Sequence, residues 1–235
     1  FNPFNTDGFL GDQVLVNWKW KPTLDVRARS YRFRMLNGSV SRYFKMALVR
    51  EIKGTSGEFQ GPVGSGVSYA RVPFHLIAND GNIMEHAVPF DGTMDLDADG
   101  DKQNHNAILP TLGIAERFDI IVNFSKNGIK PGDKLFFVNL QAHDDGKGPK
   151  EVVPLADVLF EKYLAVIKQT SKGPQWDKGD PAVGKVLQFN VKAFTGQDLA
   201  MDPAAYEPAK PGKAEGMVMI PLKIVEPFRQ HYARK

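Results

Sequence analysis

Apolar and polar residues alternate with period two in several short stretches of this chain, and helical spacing is nowhere sustained. Residues 31–36 are the clearest case: Tyr31, Phe33 and Met35 fall on one side of an extended chain and Arg32 and Arg34 on the other. Residues 13–16 and 24–27 are shorter strand candidates separated by the Lys21-Pro22 break, and Asn37-Gly38-Ser39 supplies turn chemistry after the third. Residues 44–49 read as a strand with Met46 and Leu48 or Phe44 inward, and residues 74–78 as a core strand. Glycine-rich residues 54–66 read as a long hairpin loop between them. Residues 114–124 form the most apolar candidate, and residues 134–140 follow across Lys130-Pro131-Gly132-Asp133, a turn that predicts a hairpin. Residues 186–191 alternate strictly and give a last strand. Within residues 144–182 the pattern is ambiguous: residues 158–167 suit a strand or a short helix, and residues 171–181 read as loop.

The order of these pieces carries a resemblance. Asp7-Gly8-Phe9, Gly11-Asp12, Leu15-Val16-Asn17, Pro22, the 31–37 strand and Ser41-Arg42 are followed by the turn at Asn79-Asp80-Gly81 ahead of Val88-Pro89. Then comes Ala115-Glu116-Arg117-Phe118-Asp119-Ile120-Ile121-Val122-Asn123-Phe124. Together these resemble the middle domain of three-domain multicopper oxidases, the laccase and bilirubin-oxidase family, over most of residues 7–140. The chain departs from that pattern at Trp18-Lys19-Trp20, where the family has Gly after the Asn, and at Asn123, where Asp is common. The resemblance implies an all-β, cupredoxin-like Greek-key β-sandwich of two antiparallel sheets with long loop insertions. It further implies a lead-in from a preceding domain at residues 1–10, the cupredoxin-like domain at 11–194, and an arm or linker towards a following domain at 195–235.

Composition narrows the chemistry. A net charge of +3, from 30 basic and 27 acidic residues that are interspersed, offers no electrostatic case for nucleic acid. No apolar run reaches the length of a membrane-spanning helix. The chain starts at Phe1 without a signal-peptide pattern, so it is expected to be a domain excised from a longer protein. Having no cysteine, it can form neither a disulfide nor a thiolate metal site, nor can it use a cysteine nucleophile. His75, His86, His105, His143 and His231 stand singly, without the paired spacing of copper ligands. In the family those ligands sit in the first and third domains, so the resemblance implies a copper-free spacer here and copper in the flanking domains. Its partners would be those flanking domains, in an extracytoplasmic protein that moves electrons from a reducing substrate to dioxygen. An alternative from a different class is a copper-free member of the superfamily acting as a cell-envelope or division-associated interaction scaffold.

Asp95, Asp97 and Asp99 with Gly100 form a DxDxDG run inside the polar insertion at residues 91–106. Alternating carboxylates of this kind open EF-hand calcium loops, but the bidentate Glu of the twelfth position is replaced by Asn106. The run is therefore either a solvated acidic loop or a weak calcium site, with an expected dissociation constant no better than about 0.1–1 mM. No catalytic residues are assigned. Arg32, Arg34, Arg42, Glu116, Arg117 and Asp119 are expected to pair across strands or to face a neighbouring domain. Trp18 and Trp20 could be interface residues or the edge of the core.

Overall fold

The computed structural model describes residues 8–163, 166–171, 173–210 and 212–219; the side chains of residues 167 and 174–178 are not among them. Ten strands build the body: β1 Thr23–Arg27, β2 Ser30–Leu36, β3 Met46–Lys53, β4 Phe59–Gln60, β5 Val67–Arg71, β6 Phe74–Asn79, β7 Asn82–Phe90, β8 Arg117–Asn123, β9 Lys134–Asn139 and β10 Gly184–Lys192. They form two sheets, one ordered β2-β8-β6-β7 and the other β1-β10-β9-β3-β5-β4. Strands distant in sequence lie side by side, with β8 set between β2 and β6, which is the crossover pattern of Greek-key sandwiches. The fold is the all-β, cupredoxin-like sandwich that was expected. No helix among the described residues is long and apolar enough to cross a membrane.

Period-two patterning explains the interior. Phe33 of β2 meets Phe189 of β10 at 5.4 Å between ring centroids, and Phe124 and Phe137 approach Phe189 at 5.3 and 5.4 Å. Tilted and edge-on contacts of this kind add about 0.5–1.5 kcal/mol per pair beyond area burial. Phe44, Met46, Leu48, Phe118 and Ile120 complete the same core.

The six-stranded sheet is covered on its other face as well. Val49, Tyr69, Phe136 and Val138 pack there against Leu155, Val158 and Leu159 of a short helix, Leu155–Leu159. Burial on both faces is why residues 135–138 form a continuous apolar run instead of an alternating one.

Three expectations change. The sheets are not both antiparallel, because β10 pairs with β1 in parallel, Phe189 opposite Leu24. Lys130-Pro131-Gly132-Asp133 does not close a hairpin: β8 and β9 lie in different sheets, so the turn arches across the core. Its geometry is local all the same, with Asp133 Oδ2 accepting from Lys130 N at 2.9 Å. Residues 171–181 are not all loop, since Gly173–Lys178 pairs antiparallel with Val166–Thr170 and Gly173, at φ +100°, makes the reversal. Within residues 158–167, Val158 and Leu159 end the short helix and Val166 and Ile167 begin this ribbon, while residues 164–165 lie outside the described residues.

The chain after β10 returns over the outer face of the four-stranded sheet. Asp198 accepts from Ser30 N, Met219 N donates to Glu85 O at 2.9 Å, and Met219 is buried with Ile77, Ala87 and Ile121.

Candidate functional site

Two clusters of polar groups stand out. The first is a buried ion pair at one end of the sandwich. Arg42 follows the turn after β2, where Asn37 is buried and donates from Nδ2 to Arg42 O at 2.7 Å, while its Oδ1 accepts from Ser39 N at 3.0 Å. This fixes the backbone at Arg42, whose Nη1 donates to Asp180 Oδ2 at 2.7 Å. The two side chains are 6% and 2% exposed. Arg42 Nε and Nη2 donate to Leu10 O and Gly11 O at 2.7 and 2.8 Å, while Asp180 also accepts from His143 N at 2.8 Å and Ala182 N at 2.9 Å. With partners on both ions, this satisfied pair ties the segment at residues 10–11 to the loop before β10. His143 lies against it, its Nε2 accepting from Tyr43 N at 3.1 Å. Burial and then the adjacent Arg42 charge lower its pKa. A cavity of about 570 Å³ opens beside Arg42, His143, Asp144 and Lys150.

Asp180 went unnoticed in the sequence because it lies in an ambiguous stretch, 138 residues from Arg42. The cross-strand pairing expected of the other charges is observed: Arg32 pairs with Asp119 between β2 and β8, and Arg34 reaches the same carboxylate at 3.9 Å. Arg117 approaches Asp80 at 3.6 Å, and Glu116 accepts from Gly113 N. Trp18 and Trp20 sit on the small ladder that joins Leu15–Val16 to Lys19–Trp20, and Trp18 is 92% exposed, so neither is a core residue.

The second cluster is the acidic insertion. Among the described residues, Asp95, Asp97 and Asp99 are the one group of three or more acidic, histidine or cysteine side chains within reach of a common ion, with ligand oxygens all within 4.8 Å of one another. Gly100, at φ +93°, makes the turn and its N–H donates to Asp95 Oδ2 at 2.9 Å. That bond is the main reason the Asp95 pKa is lowered. Asp99 accepts from Asp101 N at 2.7 Å and from Asn104 Nδ2 at 2.6 Å.

The chain is 26% identical over 193 residues to a laccase of Bacillus subtilis (strain 168), an alignment covering 82% of this chain and 30% of that protein. It is 28% identical over 119 residues to the bilirubin oxidase of Albifimbria verrucaria, covering 51% of this chain and 15% of that one. The curated relatives are multicopper oxidases. The solved McoA multicopper oxidase of Aquifex aeolicus, in its 2F4 variant, aligns with 86% of this chain and 30% of its own at 21% identity and a TM-score of 0.45. No protein-family model matches. The chain spans 30% or less of the length of the curated multicopper oxidases named here.

Copper chemistry can be tested against the residues present, and they do not fit a blue copper centre. The thiolate it requires is absent from the sequence. Four of the five histidines lie among the described residues, each against a different carboxylate: His75 with Glu207 at 2.7 Å, His86 with Glu215 at 3.5 Å, His105 with Asp97 at 3.6 Å and His143 with Asp180 at 3.9 Å. His231 lies outside the described residues.

Proposed function

We propose that this chain is the middle, copper-free cupredoxin-like domain of a three-domain multicopper oxidase, bridging the two copper-bearing domains and helping to wall the approach of the reducing substrate. The observation that carries the reading is the laccase likeness itself, which covers 82% of this chain and only 30% of the relative. The absence of cysteine supports it, since a domain without a thiolate leaves blue copper to its neighbours. In the whole protein, electrons would pass from the reducing substrate through the flanking copper sites to dioxygen. The protein would work outside the cytoplasm, as the family resemblance suggests.

The test is made on the full-length gene product. Loaded with copper, it is expected to show the intense thiolate-to-copper absorption band and to consume dioxygen with a phenolic or metal-ion reductant, while residues 1–235 alone do neither. A full-length product whose flanking domains lack paired histidines and which consumes no oxygen would overturn the reading and favour the interaction scaffold.

A further inference from the structure

Residues 9–20 carry four large apolar side chains that the sandwich leaves in water: Phe9 is 61% exposed, Leu15 50%, Trp18 92% and Trp20 58%. Two of them are paired by the local structure. Val14 and Val16 pack on the main core, whereas Leu15 stands directly opposite Trp20 on the small ladder, so Leu15 and Trp20 share its outer face. The two residues between the ladder strands have positive φ, Asn17 at 49° and Trp18 at 65°, as a two-residue hairpin turn requires. Glycine suits the second of these positions, and an indole there costs backbone strain. Burial among the described residues does not offset that strain, because Trp18 is almost wholly exposed. Lys21 lies over the Trp20 ring at 5.1 Å, and Lys19, between the two indoles in sequence, is exposed. The hairpin also stands next to the point where the incoming chain is fastened. A crevice between Trp20 and residues 181–183 runs along the loop whose Asp180 holds Arg42, and Arg42 in turn holds Leu10 O and Gly11 O at 2.7 and 2.8 Å.

We propose, on the reading of this chain as a middle domain, that the Trp18–Trp20 hairpin with Leu15 and Phe9 is the surface on which the preceding domain of the parent protein docks, through an apolar recess with an acidic rim. The composition is that of an interface centre, since exposed aromatic patches mark contact sites and tryptophan is enriched among the residues that carry binding energy. Lys19 and Lys21 call for acidic groups opposite, because charges across an interface are arranged to complement one another. The turn holds Trp18 at the tip of the hairpin in one direction, which lowers the ordering cost of docking. Position favours the preceding neighbour over the following one. With residues 10 and 11 fastened by the buried Arg42–Asp180 pair, the chain before them leaves the sandwich beside the hairpin. The segment after β10 instead runs over the outer face of the four-stranded sheet to Met219, whose N–H is bonded to Glu85 O of β7. The Bacillus laccase has chain to supply such a neighbour, since the alignment covers only 30% of its length.

The full-length parent protein is the material for the test. In hydroxyl-radical footprinting, Trp18 and Trp20 should oxidise about tenfold or more slowly in the native protein than after unfolding. Zero-length carbodiimide coupling should join Lys19 or Lys21 to an Asp or Glu that precedes this chain in the sequence. Trp18→Gly then isolates the contact. Glycine accepts φ 65° and the indole is exposed, so the change relieves the turn without opening the sandwich. In the full-length protein it should nevertheless speed protease cleavage between the preceding domain and residue 11 about tenfold, because the docked domain is released. Trp18 oxidised as fast in the native protein as in the unfolded one would overturn the assignment. So would couplings only to the following domain or to a second copy, or a cleavage rate that Trp18→Gly leaves unchanged. The thiolate-to-copper band separates this surface from the oxidase reading. A full-length protein that lacks the band but protects Trp18 and couples Lys19 to the preceding domain upholds the docking surface and overturns the oxidase, whereas a blue protein with Trp18 freely oxidised overturns the docking surface alone.

Discussion

Removing Asp180 should be among the most damaging single changes available in this chain. Asp180→Leu would leave the Arg42 Nη1, the His143 N–H and the Ala182 N–H without their acceptor, inside an environment where the Asp180 side chain is 2% exposed. Breaking one side of a buried ion pair costs about 3–5 kcal/mol, because the remaining charge is left uncompensated. The adjoining cavity can let water reach Arg42, which places the cost towards the lower end of that range. At about 2–4 °C per kcal/mol for a chain of this size, the melting temperature should fall by about 6–20 °C. Urea unfolding followed by tryptophan fluorescence measures the loss directly. A double-mutant cycle then isolates the pair. Arg42→Met with Asp180→Leu should cost less than the two single changes summed, with a coupling of about 0.5–3 kcal/mol. It should not restore the wild-type value, because Leu10 O, Gly11 O and two backbone N–H groups remain orphaned. An Asp180→Leu loss under about 1 kcal/mol, or strict additivity, would refute the claim that this pair ties the end of the sandwich together.

His143 has a lowered pKa, so the unfolded chain binds its proton more readily than the native one; the stability it confers should be present above about 6.5 and be lost as pH falls through the lower folded value. Urea midpoints at neutral and mildly acidic pH should show that slope, and His143→Gln should flatten it. Asn139, fully buried, accepts from Lys45 N and Gln141 N and donates to Gln141 O and Ala182 O. Asn139→Leu should therefore destabilise by about 3 kcal/mol or more, since each orphaned partner costs about 1–3 kcal/mol; a near-neutral result by chemical denaturation would count against that network. Ending the chain at residue 219 should leave a single cooperative unfolding transition, whereas ending it at residue 194 uncovers Ile77 and Ile121 and should lower stability by at least the roughly 1.5–3 kcal/mol of Met219 burial. Equal midpoints for the two truncations would show that the returning segment contributes nothing.

The strands of this protein were legible because a half-buried strand writes its two faces into alternate positions. Tyr31, Phe33 and Met35 are more buried than Arg32, Arg34 and Leu36 in the structure, as the alternation required. Phe44, Met46 and Leu48 also enter the core together. The DxDxDG run was legible for a similar reason, since its carboxylates are neighbours in sequence. What the sequence could not specify is every relation between residues far apart along the chain. A Pro-Gly-Asp turn looks the same whether the next strand pairs with the last or crosses to the other sheet, and only the packing of both sheets on Phe189 decided for the crossing. The parallel seating of β1 beside β10 is likewise a long-range choice, joining Leu24 to Phe189. The same holds for the two polar clusters. Arg42 and Asp180 are ordinary charges until folding removes both from water, after which each is tolerable only beside the other. His105 stands a few residues beyond the acidic run, and its burial was hidden because no local pattern orients an imidazole. The wall of Phe90 does so, burying the ring and leaving its Nδ1 facing Asp97.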